Sequence, residues 1–389
     1  MRSFKVGSAF GIPIKLDVTF LLILPVFAYL IGTQVDVWVN TLNGAPFDAG
    51  LNAATLTEGN REWYLGSIAA IGLFVGVVLH ELGHSLVAMR YGFPIDSITL
   101  WILGGIASLS EQPEEWKQEF SIAIAGPIVS ILLGVGSYAA MQFLPSSLDL
   151  ARFVFGYLAL MNFALAAFNL LPGFPMDGGR VLRALLARTR SFARATQIAA
   201  EVGKAFALIL GIVGLLGFNL ILIGVAFFIY IGASSEAQRT VMNAVFEGVT
   251  VADVMTHAED VHTVDADASV ADLMDRMFEQ RHTGYPVTRN GDVVGMVTLD
   301  DARSVKPVER DAIRVADVMT DEVHSIPQYS DAMDALDRIQ QHGIGRLLVV
   351  DANGEMVGLL SRTDLVTAFN IIQSTGPREA STNIDLSRR

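Results

Sequence analysis

Cysteine is absent from all 389 residues. Its absence excludes disulfides, thiolate zinc ligands and a cysteine nucleophile, and leaves histidine, aspartate and glutamate for any metal chemistry. Histidine is itself scarce: the chain has seven, and five of them lie beyond residue 250. Positive charge is short as well. With 27 basic against 40 acidic residues the net charge is −13, which argues against a nucleic-acid partner. Such acidity fits growth in high salt or an acidic cytosolic face, and decides nothing about function. Apolar sequence, in contrast, is abundant: 52% of the residues are hydrophobic, too many for a wholly soluble enzyme. The chain is expected to be a membrane protein of two or three domains.

The two histidines of the first half, His80 and His84, flank Glu81 in an HELGH segment within an apolar stretch from Ile68 to Met89. Residues i and i+4 share one face of a helix, so both imidazoles can hold one Zn²⁺ with Glu81 beside them as a base. The bland alternative is a pair of core histidines hydrogen-bonded between helices. Ionisable groups at membrane depth are costly, however, and their retention points to a function, here metal-assisted peptide hydrolysis within a bilayer.

Six apolar segments, at about 17–33, 67–90, 119–143, 151–171, 197–216 and 218–235, approach the length needed to cross a bilayer. The first, after Arg2 and Lys5, lacks a clean cleavage site and is expected to stay as a signal anchor. Arg90, Lys117, the cluster Arg180 to Arg194 and Arg239 fall on the same side as the N-terminus, which should be cytoplasmic. The long 34–66 loop lies opposite. Ser97 to Ser110 is apolar, β-prone and broken by Gly104 and Gly105, too short to cross. A re-entrant strand or hairpin is expected there, next to the active site, because non-helical backbone at that depth must be satisfied by protein or a wet cavity.

A second cluster closes the fourth segment, in FNLLPGFPMDGGR from Phe168 to Arg180. Asp177 lies on the same side as HELGH and would be a third zinc ligand, leaving a fourth position for water; capping the helix that follows is the competing role. HELGH in an apolar helix followed by this segment resembles the site-2 protease family of intramembrane zinc metalloproteases, over approximately residues 1–240. The resemblance implies His80, His84 and Asp177 as zinc ligands and Glu81 as general base. It further implies Asn169 as a group holding substrate or the developing oxyanion, Gly104 and Gly105 in a β element that pairs with extended substrate, and Ala125 to Pro127 in the third core helix. Asn162 would line the same cavity or bond between helices.

From Val249 the apolar segments vanish and VADVMT occurs twice, at Val251 to Thr256 and at Val315 to Thr320. Each copy leads into an amphipathic helix and two strands around a turn, at Arg289–Asp292 and Asp351–Gly354, and ends alike at Gly295–Asp301 and Gly358–Asp364. The pattern resembles a cystathionine-β-synthase-type (CBS) pair over 249–373, with repeats at about 251–305 and 315–372 and a polar tail, 374–389, expected to be disordered. That resemblance implies an adenine nucleotide (AMP, ADP or ATP) between the repeats, with Asp301 and Asp364 toward ribose and Thr298 and Ser361 near sugar or phosphate. Arg346 and Arg362 could neutralise phosphate. A pair that only dimerises, its aspartates capping helices, is the alternative.

The expected fold is thus a membrane α-helical bundle of about six transmembrane helices with a re-entrant β element, plus a cytosolic α/β tandem CBS domain. The expected function is hydrolysis of peptide bonds in or near transmembrane segments of membrane-tethered proteins, under nucleotide control. Partners would be the lipid bilayer, substrates with helix-breaking transmembrane segments and a second copy through the CBS domains, with no nucleic acid. A CBS-gated channel or transporter and an inactive membrane scaffold are the rival readings.

Overall fold

The first apolar run is preceded by structure that its sequence did not announce. In the computed structural model, which describes residues 3–101, 104–109, 113 and 115–375, Ser3–Ala9 (β1) and Ile12–Asp17 (β2) form an antiparallel hairpin. Asp17 then caps Val18–Thr33 (α1), accepting the Thr19 amide at 3.0 Å and so satisfying one of the helix's orphan N–H groups. α1 bends by 65° into Val35–Asn43 (α2), so the first segment is a short helix or half of a bent pair. The 34–66 stretch is not a loop: α2 and Ala53–Thr57 (α3) bury Val39, Leu42 and Leu56 against Leu65, Met141 and Phe153.

The remaining membrane helices are Arg61–Arg90 (α4), Trp116–Phe143 (α5) and Asp149–Asn169 (α6), then the short Asp177–Ala187 (α7), then Phe192–Leu216 (α8) and Leu220–Phe246 (α9). Five helices are long and apolar enough to cross a membrane, or six if the bent pair is one span. Their outer faces leave Leu132, Leu208 and Leu216 exposed, side chains that suit hydrocarbon rather than water. The last helix does not stop near residue 235 as the hydropathy suggests. It continues to Phe246, so that most of the stretch between the last apolar segment and the first repeat is helical.

Ile95–Trp101 (β3) and Gly104–Leu109 (β4) pair antiparallel, with Leu100 opposite Gly105. β2 joins them in parallel through Ile14 and Ile98, giving a sheet of order β1-β2-β3-β4. Ile12 and Ile98 bury one face of this sheet against Leu82 of α4, which seats the strands beside HELGH. β4 is an edge strand among the described residues; positions 102, 103 and 110 lie outside them.

The chain divides into two units, 1–238 and 239–389. The second begins with the end of α9, then Val251–Val254 (α10), Thr256–His257 (β5), Val264–Asp265 (β6), Val270–Gln280 (α11), Gly284–Arg289 (β7), Asp292–Thr298 (β8) and Leu299–Ser304 (α12). Ser325–Pro327 (β9), Ala332–His342 (α13), Arg346–Val350 (β10), Met356–Ser361 (β11) and Arg362–Thr375 (α14) repeat the plan. The Asn290–Gly291 turn has both residues at positive φ, 58° and 97°, the twist a two-residue hairpin needs. The repeats are interleaved in space. β5, after the first VADVM, joins β11 in the second sheet, and Thr320, ending the second VADVMT, bridges to Met296 in the first. Val251 likewise lies in the second repeat's core and Val315 in the first's. The tail beyond residue 375 lies outside the described residues.

Candidate metal centre

α4 places His80 and His84 one turn apart on a buried face, 3% and 5% exposed. α5 lies against that face because small residues permit it. An added Cβ at Gly83 would stand 3.0 Å from the Ala125 carbonyl oxygen, and one at Gly126 would collide with His84 Nε2 and lie 2.7 Å from His80 Nε2. One face of α5 therefore presents Ile122, Gly126 and Ser130, at i, i+4 and i+8, to the two imidazoles.

The outer nitrogens of the two rings are tied to that face. His84 Nδ1 lies 2.7 Å from the Ile122 carbonyl oxygen, and His80 Nδ1 lies 2.8 Å from Ser130 Oγ. A carbonyl only accepts, so His84 Nδ1 carries the proton and a neutral His84 turns the lone pair of Nε2 inward. Ser130 can accept from His80 Nδ1 in the same way. The inner nitrogens lie 3.2 Å apart, and Asp177 Oδ2 is 3.1 Å from each of them. Three acceptor atoms facing one point repel unless a proton or a metal cation sits among them. Two imidazoles and a carboxylate, all within 4.8 Å of one another, form a donor set suited to zinc with a further position left for water.

Asp177 does not cap α7. It is the helix's first residue, Met176 holds the cap position without a side-chain bond, and the carboxylate instead turns to histidines 93 and 97 residues away. Its segment is packed too tightly for larger residues: a Cβ on Gly179 would lie 2.5 Å from the Gly173 carbonyl carbon. Glu81 lies on the other side of the pair, toward the sheet. A Cβ on Gly105 would stand 2.5 Å from its Cγ, so the bare backbone of β4 is what permits the close approach. Gly104 pairs with Trp101 at the start of the same strand.

Two expected residues are placed less directly. Asn169, at the end of α6, donates its amide to the Leu165 carbonyl of its own helix at 3.0 Å. Asn162 does the same to Leu158 at 2.8 Å, and its buried Oδ1, beside Gly76, has no hydrogen-bond partner. Ser130 is the residue that sequence reasoning missed. Its signal was available: a hydroxyl one helical turn after Gly126, the only polar side chain between Ile122 and Val135.

In the second unit, Thr298 and Asp301 form a reciprocal capping box at the start of α12, with Oγ1 to Oδ2 at 2.6 Å. Ser361 and Asp364 repeat it at the start of α14, at 2.7 Å. Thr298 and Asp301, but not Ser361 and Asp364, line a cavity of about 480 Å³ together with Thr320, His324 and Arg346. Arg346 donates to Thr283 Oγ1 at 3.0 Å, and burial pulls its pKa below the usual arginine value while the Asp364 charge opposes that fall. Arg362 is not among the lining residues, but its guanidinium reaches the carbonyl of Ile344, which is, at 3.5 Å.

Apolar helices of spanning length around a histidine–histidine–aspartate cluster with an adjacent glutamate define a membrane-embedded metallopeptidase. Comparison with known proteins agrees. The model of peptidase family M50 matches residues 68–152 and 145–210, and that of the CBS domain matches 251–307 and 315–371. A zinc metalloprotease of Methanocaldococcus jannaschii is 34% identical over 96% of this chain and 97% of its own length. Rip3 of Mycobacterium tuberculosis is 32% identical over 82% of this chain and 84% of its own. Among solved structures, the site-2 protease from M. jannaschii aligns with 38% identity and a TM-score of 0.42, covering 61% of this chain and 95% of that one. The chain belongs to peptidase family M50, the zinc metalloproteases of site-2 protease type, and carries a C-terminal CBS pair.

Proposed function

We propose that this enzyme hydrolyses peptide bonds within or beside the transmembrane segments of membrane-tethered proteins, with His80, His84 and Asp177 as its zinc ligands and Glu81 as its base. The observation that carries the reading is the meeting of Asp177 Oδ2 with both imidazole Nε2 atoms at 3.1 Å. Zinc held by these donors supplies Lewis-acid polarisation and lowers the pKa of an attacking water toward about 7. Glu81 accepts the proton as the water oxygen bonds to the scissile carbonyl carbon. When the carbon–nitrogen bond breaks, it delivers that proton to the leaving amine. A helical substrate hides its carbonyls in i to i−4 bonds, so the scissile segment must unwind first. The edge strand β4, next to Glu81 at Gly105, offers backbone partners that offset the lost bonds, which favours substrates with helix-breaking residues. Asn169, at the end of α6, keeps its second amide N–H and its Oδ1 for substrate while the first N–H is held by the Leu165 carbonyl.

The basic residues that flank the spans support a cytoplasmic N-terminus and CBS pair. The cavity at Thr298, Asp301 and Arg346 supports one adenine nucleotide there, its phosphate beside the arginine, as the input to regulated intramembrane proteolysis. A dimer through the CBS pair belongs to the same reading. The decisive experiment is Glu81→Gln in full-length protein reconstituted with a transmembrane substrate: zinc stays bound and cleavage stops. Cleavage at the wild-type rate would remove Glu81 from the mechanism. Titrating AMP, ADP and ATP against cleavage, with Asp301→Ala beside the wild type, tests the regulatory part; a flat response in both sinks it.

A further inference from the structure

Arg183, on α7 six residues after Asp177, is only 4% exposed. Its Nε donates to Glu119 Oε1 of α5 at 2.6 Å and its Nη1 to Glu236 Oε1 of α9 at 2.7 Å, while Nη2 also meets Glu119. The rings of Phe174 and Phe192 lie 4.9 Å and 4.6 Å from its guanidinium carbon. One side chain thus gathers α5, α7, α8, α9 and the segment that leads to Asp177.

As a source of stability this arrangement is poor. Charges taken out of water lose hydration that their mutual attraction does not reliably restore, and apolar replacements are often no less stable. Here Glu119 Oε2 is also buried with no hydrogen-bond partner. What a buried, fully directed guanidinium does provide is one register among many, because its planar fork fixes direction as well as charge. The helix held in register begins with Asp177.

We propose that Arg183 is a positioning residue of the peptidase. Clamped by Glu119 and Glu236, it fixes α7 so that the Asp177 carboxylate stays within reach of both imidazoles. The inference rests on the reading of Asp177 as a metal ligand. It also ties the centre to α9 through Glu236.

The test uses full-length protein in detergent, with the zinc dissociation constant from chelator competition, the visible spectrum of the cobalt form and thermal unfolding of the metal-free protein. Glu236, a third exposed, is the gentlest place to cut the clamp. Glu236→Gln is expected to raise the zinc dissociation constant about tenfold, the order found for partners that orient ligands, and to shift the cobalt band, with unchanged metal-free unfolding. Arg183→Lys, which keeps the charge but loses the fork, should move both readouts in the same direction. Wild-type zinc affinity and cobalt spectrum in these variants overturn the proposal. So does a lower unfolding temperature with unaltered affinity, which assigns the cluster to folding alone. Should Arg183→Lys not accumulate, Glu236→Gln decides. Asp177→Ala separates the two levels: if it binds zinc like the wild type, the ligand reading has failed; if it loses zinc while the clamp variants keep it, only the clamp has.

Discussion

The candidate sites of the two units use aspartate in opposite ways. Asp177 ignores its own helix and bonds to histidines 93 and 97 residues distant, whereas Asp301 and Asp364 each bond to a residue three positions away. The local bonds are what any helix start needs, and folding alone accounts for them. The distant ones give nothing to helix formation and bring two imidazole nitrogens and a carboxylate oxygen to one point, an arrangement suited to a metal cation. A carboxylate's partners therefore separate function from architecture better than its motif does. By that measure the metal centre is argued from structure, and the nucleotide site rests on the cavity and Arg346 rather than on the aspartates.

The sharpest way to break this contrast is Glu81→Gln, expected to lower the cleavage rate by roughly 10²–10⁴-fold with zinc content unchanged by metal analysis. Next is Ser130→Ala, which frees His80 Nδ1 from its 2.8 Å partner. It should raise the zinc dissociation constant by roughly 10–100-fold in a chelator titration, and an unchanged value would make the contact incidental. Smaller effects are expected where the bonds are local. Thr298→Ala and Ser361→Ala should each cost about 1 kcal/mol in denaturant unfolding of the second unit, the usual worth of a cap. Only Thr298→Ala, whose side chain lines the cavity, should also weaken nucleotide binding by calorimetry; equal losses in both would undo the assignment to one cavity. The smallest concerns Asp351, held below the usual carboxylate range by the Glu355 and Asn353 amides. A depressed folded pKa gives stability that is present above the unfolded value of about 4 and lost as pH falls through the folded one. Asp351→Ala should flatten that acid limb of an unfolding titration.

His80, Glu81 and His84 were legible because helical period alone puts them together, and Asp177 because it stands on the matching side in a simple count of spans. Their outer partners were not. Ile122 contributes only a backbone carbonyl, which any residue carries, and Ser130 meets His80 only because α4 and α5 cross at Gly83 and Gly126. The pairing of β2 with β3 escaped for a related reason: the partner strand lies some eighty residues on, and no local pattern reports such a contact. The repeat was plain from VADVMT, yet its exchange was hidden, since identical hexapeptides cannot say whose sheet each completes. The interior of the second unit was visible as two amphipathic helices, α11 and α13, which form where the sequence places them.

The shared helix also decides where this molecule can be cut. The CBS motif starts at residue 251, but Met242, Val245, Phe246 and Val249 pack into the second unit's core, and Phe246 is entirely buried there. A fragment begun at the motif would leave a phenylalanine-sized hole, worth about 3–5 kcal/mol in a domain of ordinary marginal stability. One begun at Arg239 keeps the plug, at the expense of severing α9 in mid-helix.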